Sequence, residues 1–247
     1  KLENCKYRVG LTGTLDGTKT HKLVLEGLFG TVNKVVSTSE LQEKKQLANL
    51  KIFCLILQHD KHARDFMFGK TYQEEMDYLV KNEKRNKYIR NLVSSLQGNT
   101  LVLFQYVEKH GMELKKLIEE KNPDKKVFFV YGGVEAEERE KIRFITEKSD
   151  GAIIVASYGT FSTGINIRNL HNIIFASPSK SRIRNLQSIG RGLRLGDNKV
   201  NATLYDIADD MQYKSKENFT LKHFQERINI YTEEEFDYEI HNISLKD

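Results

Sequence analysis

Short uninterrupted apolar runs alternate along this chain with longer stretches in which apolar positions recur every three or four residues. KIFCLILQ (51–58), TLVLF (100–104), KVFFV (126–130), AIIVA (152–156), NIIFA (172–176) and ATLYDI (202–207) show no polar alternation, as befits strands buried on both faces. Between them, VEKHGMELKKLIEE and EAEEREKIRFITE carry helical periodicity, and a helix is expected from Ser181 to Leu195. This order predicts right-handed βαβ crossovers, and hence an α/β fold: a parallel sheet with helices on both faces in a three-layer sandwich.

The flanks are less regular. YRVGLT (7–12) is a strand candidate, GTLDGT a turn, HKLVLEGLFG a helix ending on Gly30, and Val32–Val36 a weak strand. A short charged helix from Ser39 follows, with capping-box spacing to Gln42, and SELQEKKQLAN reads as a linker. Residues 71–97 read as one helical segment: Thr71 and Glu74 form a capping box, Met76, Leu79, Val80, Ile89, Leu92, Val93 and Leu96 form the stripe, and Gly98 suits the C′ position. After a helix from about Ser215 to Tyr231, Phe236, Tyr238 and Ile240 alternate like an edge strand. Three units are expected: 1–48, 49–213 and 214–247.

Composition narrows the class. Of 247 residues, 39% are hydrophobic and 30% charged, with two prolines, which excludes a disordered or low-complexity chain. FCLIL and AIIVA are far too short to span a membrane. A net charge of +5 is compatible with a polyanionic partner without requiring one. Cys5 and Cys54 have no ligand spacing, so a reducing compartment and no metal site are expected. The opening KLENCKYRVG lacks a methionine and a signal-peptide core, as a fragment or processed chain would.

Chemistry is expected beyond the carboxyl ends of the strands, where parallel sheets carry their functional loops. Four loops qualify: LTGT (11–14), QYVEKHG (105–111), YGGVEAEER (131–139) and SYGTFSTGINI (157–167). The last is expected to be a polar loop whose glycines and hydroxyls suit phosphate oxygens, although a plain Ser/Thr/Gly turn would look the same. QSIGRGLR (187–194) is the most distinctive stretch. On a helix, Gln187, Arg191 and Arg194 share one face, and arginine's planar fork suits phosphate. Gly190 and Gly192 each weaken a helix by roughly 1 kcal/mol while baring that face, whereas a solvated basic helix end is the plainer reading.

In order, these stretches resemble the carboxy-terminal motifs of superfamily 2 helicases, in particular ATP-dependent DNA helicases of phage recombination and repair. GLTGT is similar to motif III, TLVLFQYVEKHG to motif IV, SYGTFSTGINI to motif V, and QSIGRGLR to the QxxGRxxR form of motif VI. The resemblance covers nearly the whole chain and implies a RecA-like, P-loop NTPase-type sheet, with 1–48 ending a first RecA-like domain and 49–213 forming the second. It makes Arg194 the arginine finger, Arg191 a second phosphate ligand and Gln187 a nucleotide contact. Gly164 and Asn166 take the motif V position near the nucleotide, with Asn in place of the usual Asp. Gln105, Tyr106, Gly132, Thr160, Ser162 and Thr163 would hold the nucleic-acid backbone, and Thr12 and Thr14 would couple it to ATP.

The resemblance further implies ATP and Mg2+ as cofactors, branched or single-stranded DNA as partner with RNA–DNA hybrids as a further class, no membrane, a monomer, and the cytoplasm of a phage-infected host. Neither GxxxxGK[ST] nor a DExx box is present, so ATP binding is expected mainly from a half upstream of Lys1, and the chain alone is expected to be inactive. FGKT (68–71) is a decoy, since Arg64 stands where the first glycine belongs; Thr71 reads as a helix cap. Two other classes compete: an ATP-independent nucleic-acid binding or annealing module, which leaves the Gln/Arg/Arg face without a role, and a nucleotide-cofactor α/β enzyme, which lacks a GxGxxG after a strand.

Overall fold

A computed structural model describes residues 5–11, 19–33, 48–164, 167–178, 181, 189–190 and 201–245. Its elements are α1 (Lys19–Phe29), β1 (Asn49–Gln58), α2 (Lys61–Met67), α3 (Tyr72–Lys81), α4 (Glu83–Ser95), β2 (Thr100–Phe104), a π-helical turn (Val107–Gly111) running into α5 (Met112–Lys121), β3 (Val127–Val130), α6 (Ala136–Glu147), β4 (Ile153–Ser157), α7 (Tyr158–Gly164), β5 (Asn172–Phe175), β6 (Asn201–Asp210), α8 (Phe219–Glu233) and β7 (Asp237–Ser244). Seven strands pair in the order β3-β4-β2-β5-β6-β1-β7, all in parallel. The alternation of apolar runs and helices therefore forms the doubly covered parallel sheet it predicts.

Successive residues of each inner strand feed opposite cores. Leu101, Leu103, Ile154, Ala156, Ile173 and Phe175 pack with Ile142 of α6, Phe161 of α7 and Phe224 of α8. Val102, Ile153, Val155, Ile174 and Ile207 pack on the other face with Ile89 and Val93 of α4 and Leu114 and Ile118 of α5. Full burial of each such side chain contributes about 1.5–3 kcal/mol. FDYEIHNI forms the edge strand expected of it, paired along β1.

Several expectations change. YRVGLT forms no strand over its described residues 7–11; Tyr7, Val9 and Leu11 are exposed and pair with none of the sheet's strands. The 71–97 segment is two helices. Asn82 ends α3, its N–H reaching Leu79 O at 3.2 Å, and starts α4, its side chain accepting from Arg85 N at 2.9 Å. The apolar stripe runs through this break unaltered, and only the capping residue marks it. Residues 107–120 open with a π turn instead of an α-helix, and α8 begins at Phe219. Gly98 lies two residues beyond the C-cap Leu96, at φ +75, with a Cβ there only 2.7 Å from His171. Residues 34–47, with the charged helix and linker, lie outside the described residues.

Behind the sheet's amino edge, fully buried Asn99 ties three elements together. Its Nδ2 donates to Thr146 O, Ser149 O and Asn169 O, each at 2.9 Å, and its Oδ1 accepts from Ala152 N at 2.9 Å. One donor group shares its protons among three carbonyls, the Thr146 contact buried and the other two partly so. Asn99→Ala is expected to lower unfolding free energy by at least about 3 kcal/mol, because several buried polar groups lose their partner together; urea denaturation measures this.

Candidate functional site

The carboxyl edge of the sheet is organised by Ser177, which follows β5. Its Oγ accepts from Gln105 N at 3.1 Å, and its carbonyl accepts from the Tyr158 hydroxyl at 3.0 Å. The loop after β2 and the first residue of α7 are thus fixed to one buried serine. The buried His110 ring completes the link, with Nδ1 2.9 Å from Ser177 Oγ and Nε2 3.2 Å from Asn86 Oδ1. Asn86 Nδ2 donates to Val80 O, so its Oδ1 is the acceptor facing His110. Nε2 therefore carries the ring proton, Nδ1 accepts from the Ser177 hydroxyl, and the serine lone pairs take the Gln105 N–H. Burial, and after it the Arg85 guanidinium, hold the His110 pKa down at about 3, so the ring is neutral.

The π turn sits directly on the end of β2. Gly111 N reaches Tyr106 O at 2.9 Å, and a Cβ on Gly111 would come within 2.6 Å of the Phe104 ring. The glycine lets the backbone approach that ring. Gln105 is exposed and Tyr106 half-buried at the mouth of the turn, where Lys109 pairs with Asp77 at 3.0 Å. At the end of β3, Gly132 is exposed in a turn closed by Val134 N to Tyr131 O at 3.0 Å.

The segment after β4 departs from the expected polar loop: α7 starts at once, on Tyr158. Ser157 accepts from Thr160 N at 3.4 Å in the manner of an N-cap, and its hydroxyl donates to Thr160 Oγ1 at 2.9 Å. Tyr158 and Phe161 are buried, which converts a Ser/Thr/Gly stretch into a helix anchored in the core. Thr160 is itself buried, with its hydroxyl turned to Ser157, while Ser162, Thr163 and Gly164 form the last turn. Of QSIGRGLR, Ile189 is buried and Gly190 exposed, both helical, and a Cβ on Gly190 would meet nothing within 4 Å. Gln187, Arg191, Arg194, Asn166, Thr12 and Thr14 lie outside the described residues.

Composition and spacing do not single out Ser177, His110 or the charged group next to them. At the ends of β1 and β6, buried Asp209 receives Arg85 Nε at 2.9 and 3.0 Å and lies 3.0 Å from His59 Nε2. Burial opposes its charge, but Arg85 and His59 outweigh that and hold its carboxyl at about pKa 2. The available signal is position: Ser177, His59 and Asp209 all stand at the carboxyl ends of apolar runs. FGKT behaves as a cap. Thr71 Oγ1 accepts from Glu74 N at 3.3 Å and Glu74 Oε2 accepts from Thr71 N at 2.8 Å, a complete capping box. Among the described residues, no helix is long and apolar enough to cross a membrane.

Residues 83–196 match the helicase conserved C-terminal domain family. Together with the parallel sheet and its carboxyl-edge loops, this match identifies the fold as that of the C-terminal RecA-like domain of superfamily 2 helicases. Among its relatives, the ATP-dependent DNA helicase uvsW of Enterobacteria phage T4 is 38% identical over 257 aligned residues, covering 99% of this chain and 51% of that protein. The crystal structure of T4 UvsW superposes with a TM-score of 0.70 at 34% identity, over 89% of this chain and 45% of that one. The Type ISP restriction-modification enzyme LlaBIII shares the fold alone, with a TM-score of 0.60 at 14% identity over 89% of this chain and 17% of that one. The chain spans about half the length of its phage T4 relative.

A neutral His110 must take up a proton on unfolding once pH falls below the ordinary imidazole range. Its folded pKa is the lower one, so its contribution is complete above about pH 6.5 and is lost progressively toward pH 3. Between pH 7 and pH 5 the wild type is expected to lose about 2 kcal/mol more stability than His110→Gln. Urea midpoints at the two pH values measure the difference.

Proposed function

We propose that this chain is the C-terminal motor half of an ATP-dependent DNA helicase acting in recombination, repair and replication. The observation that carries the reading is the attachment of the motif IV loop and the motif V helix to one serine at the carboxyl edge, in a chain of this fold. A motor domain needs its nucleic-acid loops held rigidly on the sheet, so that closing against a second lobe moves the gripped strand with it.

In this reading residues 49–213 are the second RecA-like domain and 1–48 the end of the first. Gln105, Tyr106 and Gly132 lie at exposed or half-exposed positions of the edge, and with Thr160, Ser162 and Thr163 they hold the phosphodiester backbone of single-stranded or branched DNA. Thr160 reaches a phosphate only if its hydroxyl exchanges the Ser157 contact for it. Gln187, Arg191 and Arg194, with Gly164 and Asn166, face ATP and Mg2+ held mainly by the other lobe, and Thr12 and Thr14 couple the two sites. Arg194 neutralises charge developing on the γ-phosphoryl group while its bond to the leaving oxygen breaks. Gly190 supports a close approach there, since its exposed position carries no side chain and has open space around it. The working form is a monomer in the cytoplasm of an infected host.

The test is DNA-stimulated ATP hydrolysis by the full-length protein. Arg194→Ala is expected to lower kcat about a thousandfold or more with little change in KM for ATP, because a finger acts on the transition state. Wild-type turnover in that variant would overturn the assignment. DNA binding that is unaffected by Gln105→Ala together with Tyr106→Ala would remove the motif IV loop from the interface.

A further inference from the structure

Beyond the motif loops, the same edge carries a cluster of aromatic and cationic side chains. Phe68, which closes α2, is 44% exposed and packs edge-on to Tyr213 with ring centroids 5.6 Å apart. The Lys214 and Lys216 ammonium groups come within 5.6 and 5.7 Å of the Phe68 ring centroid. Both lysines are exposed, and neither pairs with a carboxylate among the described residues. Of the nearby acids, Asp65 lies beside Tyr213 and raises the pKa of its hydroxyl, while Glu217 accepts from Gln225 at 2.8 Å.

The lysines are held up by an unusual turn. Tyr213 and Lys216 exchange backbone hydrogen bonds at 3.2 and 3.0 Å, and the two residues between them, Lys214 and Ser215, sit at φ +48 and +62. Tight hairpin turns of this kind favour Asn and Gly, so two ordinary L residues here mark strain of the sort that collects at functional sites. The neighbouring N-terminus of α8 is no competitor for an anion. Glu75 already fills it, accepting from Phe219 N at 2.9 Å and Thr220 N at 2.7 Å.

Helix α3 links this end of the sheet to the motif IV loop: its first residue, Tyr72, packs against Phe219 at 6.1 Å, and its Asp77 pairs with Lys109 at 3.0 Å. Exposed rings beside unpaired ammonium groups are what binds a single strand without regard to sequence: a base stacks on the ring and the flanking phosphates meet the lysines. We propose that Phe68, Tyr213, Lys214 and Lys216 form an auxiliary contact for single-stranded DNA leaving the motif IV loop, a site that rests on the helicase reading above.

Fluorescence anisotropy of a labelled 20-nucleotide oligo-dT with the full-length protein, titrated with salt, tests this. Lys214→Ala with Lys216→Ala is expected to weaken binding and to reduce the log–log salt slope by about 1.4, since each phosphate that a lysine no longer neutralises accounts for roughly 0.7 on a single strand. Phe68→Leu, which keeps apolar bulk and removes the ring, is expected to weaken binding roughly 5- to 100-fold at unchanged slope, and Phe68→Tyr to retain it. On a duplex of the same length Phe68→Leu is expected to bind like the wild type, because paired bases are already stacked. Wild-type affinity and slope in both the lysine and leucine variants would overturn the auxiliary contact and leave the helicase reading standing. Failure of the unaltered protein to bind the oligonucleotide would overturn both, and an equal weakening on duplex would overturn the stacking role.

Discussion

Strand β6 carries two fully buried carboxylates, one on each face of the sheet, and the packing of both layers depends on neutralising them. Asp206 takes a bidentate pair from Arg227 of α8, with both bonds at 2.8 Å, and a third bond from the Tyr231 hydroxyl at 2.8 Å. Asp209 takes Arg85 from α4 on the opposite face, with His59 beside it. Removing one partner from such a pair leaves a charge stranded in low dielectric, at a penalty of about 3–5 kcal/mol. The strand therefore dictates where a helix must lie above it and another below it. Hydrophobic burial alone would tolerate sliding of either helix; a buried guanidinium bonded to a carboxylate, forked for Arg227 and through Nε for Arg85, does not.

That registration matters because the lower helix also builds the edge. Arg85 and Asn86 are adjacent on α4, one serving Asp209 and the other His110, which in turn meets Ser177. A chain of buried polar contacts thus runs from β6 through α4 to the loop after β2 and the start of α7. Such continuity lets these edge loops move as one body with the sheet, as the proposed motor role requires. The Arg85 terminal nitrogens have no hydrogen-bond partner among the described residues, so the network holds its geometry through Nε alone. His110, neutral in this setting, makes the same network sensitive to acid.

Glycines show how far a sequence can be read. Gly98 is legible as a residue beyond a helix end, and its positive φ agrees, but its approach to His171 at the start of β5 comes from chain 73 residues away. Gly111 carries no local signal at all; it is demanded by the Phe104 ring that the following turn must cross. The hydroxyl-rich stretch after β4 reads as a loop because its polar residues suit a turn. Tyr158 and Phe161 reach the core only if the backbone coils at once, and burying two rings outweighs the turn preference. Thr71 is legible as a cap because a capping box is closed within four residues and needs nothing from the rest of the fold.

Taken by itself, the order of residues determined the class of fold, the positions of the inner strands, and the family resemblance carried by motifs III to VI. These depend on periodicity and on short contiguous patterns, which survive without knowledge of neighbours. Only the tertiary structure decided which strands adjoin, that β7 extends the sheet along β1, that one serine joins two motifs, and that Phe68 and Lys214, distant in the chain, share a surface. The reason is physical: hydrogen bonds between side chains, charge pairing in a dry interior and ring contacts are set by distances in space, and no pattern along the backbone encodes those until the strands have chosen their partners.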